Sequence, residues 1–147
     1  MYVCCVRSEP SNAASERARR DLPQWRDLEF IATQGRAALD DDFVHEDRRP
    51  LVALPTMGPD EYVSQALGVF EVYDYNMWVD SIVAVRGERL VLFIRSIAQD
   101  DWEPVQSFAI AQYDADINLV ERWIRFDIEQ REEALTALDE LHRSLEA

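Results

Sequence analysis

Lysine is absent from this chain: all 15 of its basic residues are arginine, set against 29 acids for a formal charge of −14. So acidic a surface repels phosphate backbones and anionic lipid headgroups, which argues against nucleic acid and membrane as bulk partners. Apolar runs are short, and none approaches the ~18 residues needed to cross a bilayer. The opening Met1-Tyr2-Val3-Cys4-Cys5-Val6-Arg7 turns polar too soon for a secretion signal, so a cytoplasmic location is expected. Cys4 and Cys5 are the only cysteines. As neighbours they can neither staple distant segments nor complete a zinc site, and they read as two reduced thiols in a loose tail. The two histidines, His45 and His142, lie far apart in sequence, and with four glycines the chain holds no phosphate-cradling loop and no nucleophile elbow. Neither a cofactor nor a metal is expected.

What is present suits one domain: 48% hydrophobic residues over 147 positions is enough for a single core. Residues 1–11 lack apolar periodicity and read as a tail, leaving 12–147 as the domain. Ser11 or Asn12 can cap a short helix through Arg20, which Pro23 interrupts. Trp25, Leu28, Ile31, Ala32, Ala38 and Leu39 fall mostly at helical spacing, predicting a helix over 24–39 that Gly35 weakens. An acidic turn, Asp40 to Asp42, then leads into a short extended piece at Phe43 and Val44 that ends by Pro50. Pro59 with Asp60 and Glu61 marks a second helix start, followed by the stripe Tyr62, Val63, Ala66, Leu67 and Phe70.

From Asn76 the period falls to two. Trp78, Asp80, Ile82 and Ala84 share one predicted face, and Met77, Val79, Ser81, Val83 and Val85 the other. A hairpin at Arg86-Gly87-Glu88 returns through Leu90 to Ile97. Further strands are expected over 105–113 and 118–126, then a helix from about Ile128 with Ala134, Leu135, Leu138, Leu141 and Leu145 on one side. Helices first, four consecutive antiparallel strands and a closing helix make an α+β arrangement. A solvent-facing row of Val79, Val83 and Val85 would expose an apolar patch, so a homodimer through the sheet is expected.

Asp41-Asp42-Phe43-Val44-His45-Glu46-Asp47-Arg48-Arg49-Pro50, Gly58-Pro59-Asp60-Glu61-Tyr62, the strand Val79 to Gly87 and the closing Glu121 to Asp127 resemble SnoaL-like, NTF2-like domains. The likeness is nearest to C-terminal modules of actinobacterial signalling and regulatory proteins. It implies a cone: a bent antiparallel sheet wrapped around helices, open at one end as a pocket. Enzymes of that family commonly place His directly before the Asp of the first extended piece. Here Glu46 precedes Asp47, and His45 stands one position earlier, on the opposite strand face from Glu46.

Three groupings can carry chemistry. His45 and Asp47, two apart on one strand face beside Arg48 and Arg49, form a possible acid/base pair. Asp80 lies among apolar neighbours beside Trp78, where burial would suit it to proton transfer and an Arg95 partner would keep it ionised. Trp123 with Arg125 offers an aromatic platform beside a cation, fit for a flat or anionic ligand. Each has a plainer alternative: a solvated loop, a structural ion pair and core packing. The functional expectation is a module that binds an unidentified small molecule, of sensory or regulatory kind. The alternatives are a cofactor-independent acid/base enzyme using Asp80 or Asp47 with Arg95, and a ligand-free structural dimer. A cavity with a carboxylate directed into it would favour the enzyme, one without titratable groups the sensor, and a filled cone the structural role.

Overall fold

The computed structural model describes residues 9–51 and 53–147, so Cys4, Cys5 and most of the predicted tail lie outside the described residues. The chain runs α1 (Ala13–Asp21), α2 (Leu28–Phe30), β1 (Leu39–Asp47), α3 (Pro59–Val72), β2 (Asn76–Arg86), β3 (Leu90–Ala98), β4 (Val105–Tyr113), β5 (Val120–Asp127) and α4 (Arg131–Glu146). Among the described residues no helix is long and apolar enough to cross a membrane.

Asn12 starts α1 with a reciprocal cap. Its side chain accepts from the Ser15 amide at 2.7 Å, and Ser15 Oγ accepts from the Asn12 amide at 2.9 Å. The same side chain donates to the carbonyls of Gly87 and Leu90, both at 2.9 Å, so the cap also docks α1 on the β2–β3 hairpin. Gly87 takes φ +53 there, a left-handed position that glycine occupies without a Cβ penalty. Glu9, from the predicted tail, pairs with Arg19 and accepts from the Ile82 amide at 3.3 Å.

The continuous helix predicted over 24–39 is broken into short turns. A 3-10 turn, Leu22–Arg26, holds Pro23 near its start; a single α-turn follows, then a π-turn over Ile31–Gly35 and a 3-10 turn over Arg36–Ala38. Gly35 packs against Trp25, where a Cβ would stand 3.3 Å from the indole, so the glycine gives the ring its room. The acidic turn expected at Asp40 to Asp42 is part of β1 instead. The pairing of β1 with β5 is irregular between Leu39 and Val44, and the Asp42 amide donates to Asp40 Oδ1 at 2.9 Å within that irregularity.

The five strands form one curved sheet in the order β1-β5-β4-β3-β2. The strands β2 to β5 are antiparallel neighbours, as their short connections imply, while β1 runs parallel to β5. One core fills the concave side, where the first three helical segments meet Phe43, Tyr62, Phe93 and Trp123. A second covers the convex side, where Ala134, Ala137 and Leu138 of α4 lie on Leu92, Phe108, Ile110 and Phe126.

This second core corrects the expectation of a solvent-facing valine row. The pairing of β2 with β3 shifts twice, between Val79 and Ser81 and again between Ile82 and Ala84, so strict alternation along β2 fails. Val79, Ile82 and Val85 pack with the concave core, whereas Val83 and Ala84 pack under α4. The apolar row on which the homodimer expectation rested is therefore divided between two cores of the same chain.

Candidate functional site

The concave ends of β1, β3 and β5 carry the polar groups of the site. His45 and Asp47 stand two apart on β1, directly paired across the ladder with Trp123 and Arg125 of β5. On its other side β1 is fixed by a bridge: the His45 amide donates to the Met57 carbonyl at 2.8 Å, and the Met57 amide to the His45 carbonyl at 3.1 Å. The His45 side chain is wholly buried, and its ring stacks on Tyr62 of α3 with centroids 5.1 Å apart. Among the described residues neither ring nitrogen has a hydrogen-bond partner. Burial, aided by the nearby Arg125 and opposed by Asp47, pulls its pKa down to about 3, so at neutral pH the imidazole is uncharged.

Asp47 does not orient His45. Its carboxylate accepts from Arg49 at 2.7 and 2.9 Å, from the Arg49 amide at 3.1 Å and from the Leu54 amide at 3.0 Å. Burial pushes this carboxyl upward, but those donors outweigh it and hold the pKa down at about 2. Asp47 is thus a locked anchor for the segment after β1, and a poor base near neutral pH.

Two further guanidiniums face the same space. Arg95 of β3 is 4% exposed; its Nη1 has the Met77 sulfur at 3.7 Å, and its Nε has no partner among the described residues. Arg125 Nε is likewise buried and unpartnered. Burial depresses the pKa of both; the like charge of Arg125 lowers that of Arg95 further, Arg49 does the same to both, and Tyr62 opposes the shift at Arg125 through its hydroxyl. These groups border a cavity of about 390 Å³ whose wall also includes Arg49, Met57, Met77, Ile97 and Phe70. Among the described residues no aspartate or glutamate lines it. Toward the surface Tyr75 stacks on Tyr73 at 5.2 Å and meets Trp102 at 5.7 Å.

The structure therefore brings together His45, Arg95 and Arg125 at the cavity, with Asp47 behind Arg49. Trp123 is 4% exposed and lines a neighbouring cavity of about 320 Å³ that shares Trp25 as a wall. Trp78 and Asp80 are not in the site, which corrects the pocket expectation for both. Asp80 is the extra residue at the first β2 irregularity and is exposed on the convex side, where it accepts from Ser96 Oγ at 2.8 Å and Gln106 Nε2 at 2.5 Å. Arg95 cannot partner Asp80, because alternation along β3 sends Ser96 to the convex face and Arg95 inward. Met57, Tyr62 and Tyr75 were missed as site residues. Only the return of α3 and its flanking loops over β1 brings them there, and no local spacing announces that. Among the described residues no group of three or more His, Cys, Asp or Glu side chains is placed to hold a metal ion.

No family model and no curated protein matches the sequence. Solved structures do match in fold. A putative isomerase of the SnoaL-like family from Agrobacterium tumefaciens is 11% identical with a TM-score of 0.56, over 78% of this chain and 96% of that one. An NTF2-like protein of unknown function from Cytophaga hutchinsonii is 9% identical with a TM-score of 0.54, over 80% and 92%. An LEH-like epoxide hydrolase of M. tuberculosis is 18% identical with a TM-score of 0.57, over 86% and 89%. At such identities the likeness speaks for architecture alone. The chain has the NTF2-like cone fold, with helices in its concave side and a C-terminal helix across its convex side.

Proposed function

We propose that this protein is a small-molecule-binding module of sensory or regulatory kind, with its binding site in the cavity between α3 and the concave sheet. The observation that carries this reading is the cavity itself: about 390 Å³ of space, apolar over much of its wall, with a few convergent polar groups and no carboxylate facing in. A cone kept for structure alone would have been filled by its own aromatics. The acid/base alternative finds no ready base among its candidates, since His45 takes up a second ring proton only below about pH 3, Asp47 is bonded to Arg49 and Asp80 lies on the other side of the sheet.

Ala66, on the cavity wall, provides the test. Thermal melts against a metabolite library should find compounds that raise the Tm of the wild type and fail to raise that of Ala66→Trp, whose indole would occupy the space. Equal shifts in both proteins would place binding elsewhere, and no shift with any compound would count against a binding role.

A further inference from the structure

We infer that the cavity selects a carboxylate carried on an apolar or aromatic body, with the carboxylate between Arg95 and Arg125; this deepens the binding reading above and rests on it. The first ground is charge placement. A chain with a net charge of −14 and only 15 cationic side chains directs three of them, Arg49, Arg95 and Arg125, at one buried space. The carboxylate nearest that space, Asp47, is engaged by Arg49 and by two backbone amides.

The second ground is what Arg95 and Arg125 lack. Among the described residues both have a buried Nε without a partner, and the hydrogen-bonding contact of Arg95 is a thioether sulfur, a weak acceptor. A buried lysine in this position would shed its proton, but a guanidinium stays charged, so the cost of burying it persists until an anion arrives. A carboxylate has two oxygens in one plane, and one planar head can accept from two guanidinium forks at once. The neutral His45, with both ring nitrogens unpartnered, can add one N–H donor to that head without adding charge.

The third ground is the remaining wall. Met57, Met77, Ile97, Val69 and Phe70 face the cavity and offer contact only to an apolar body. The ring of Tyr75, which lines the cavity and is backed by Tyr73 and Trp102, suits a flat one. A free phosphate or other compact polyanion would leave those surfaces in contact with nothing.

Calorimetric titration of the full chain with benzoate, phenylacetate and hexanoate, with the amide of each skeleton, and with inorganic phosphate tests the inference. The carboxylates should bind at least about tenfold more tightly than their amides, and Arg125→Gln should remove that preference while leaving amide binding unchanged. Should Arg125→Gln fail to fold, Arg95→Met serves in its place and should likewise remove the preference. Amides binding as well as the acids would overturn the carboxylate while leaving the binding module standing. Binding of neither set would sink both readings. Phosphate binding more tightly than every carboxylate would overturn the apolar-bodied class.

Discussion

Arg125 stands directly across the β1–β5 ladder from Asp47, yet the carboxylate turns from it to Arg49, two residues further along its own chain, at 2.7 Å. The pairing ties the loop after β1 to the strand and leaves Arg125 facing the cavity with its Nε unpartnered. Asp47→Asn keeps the shape but removes the negative charge that Arg49 grips and that acts on Arg95 and Arg125 as well. Breaking a buried pair from one side typically costs about 3–5 kcal/mol, and urea unfolding should show a loss of that order. A change within about 0.5 kcal/mol would mean that the Asp47–Arg49 pair does not anchor the segment.

Arg95 should behave in the opposite way. Its guanidinium is buried without a compensating acceptor, so Arg95→Met replaces a costly charge with a flexible apolar side chain beside Met77. We expect the variant to be more stable than wild type by about 1–3 kcal/mol in the absence of ligand. A site that binds at the expense of stability shows this trade-off, and an equal or lower urea midpoint for Arg95→Met would argue that the charge is compensated in the free protein.

Periodicity revealed the elements of this fold wherever the backbone is regular. The helix at Pro59, the hairpin at Gly87 and the strand that follows it all stand close to where spacing and turn chemistry put them. In the strands, what failed has one cause, the inserted residue. The first irregularity in β2 reverses the facing of Ile82 and Val83 and the second restores it for Ala84 and Val85, while one in β1 converts an apparent acidic turn into strand. Such shifts leave no mark in a single sequence, because Asp80 fits an alternating pattern whether or not it is paired. In the site, Arg95 and Arg125 were legible as cations on strands. Their shared cavity was not, since it depends on β3 and β5 lying on either side of β4, and on α3 returning over β1 to place Tyr62 against His45.

The convex core makes α4 an obligatory cover. Leu138 is fully buried against the sheet, and Leu138→Ala should cost about 2–5 kcal/mol through lost contact and the cavity left behind. Leu138→Asp goes further by lifting the helix from Leu92, Phe108, Ile110 and Phe126. An uncovered sheet face of that kind associates, so light scattering should show this variant at a higher mass than the intact chain. An unchanged mass with unchanged stability would show that α4 is dispensable to the fold.

Acid sensitivity should begin at His45. Its folded pKa, about 3, lies below its ordinary value of 6.5, so between those limits the unfolded chain takes up a proton that the folded chain refuses. More protons bound to the unfolded state means stability that rises with pH, and therefore falls on acidification, by at most about 1.4 kcal/mol per pH unit from this one group. The groups facing the ring set the size of the effect: Arg125, Arg95 and Arg49 oppose its protonation, and Asp47 alone favours it. Asp47 enters only later, since a carboxyl held at about 2 yields its contribution as the pH falls from about 4 toward that value. The interval from about pH 6.5 to pH 4.5 thus separates His45 from Asp47. Urea midpoints across it should fall steadily for the wild type and much less for His45→Gln, which cannot be charged. Parallel slopes for the two proteins would show that His45 takes up its proton in the folded state, and so is not held neutral by the arginines around it.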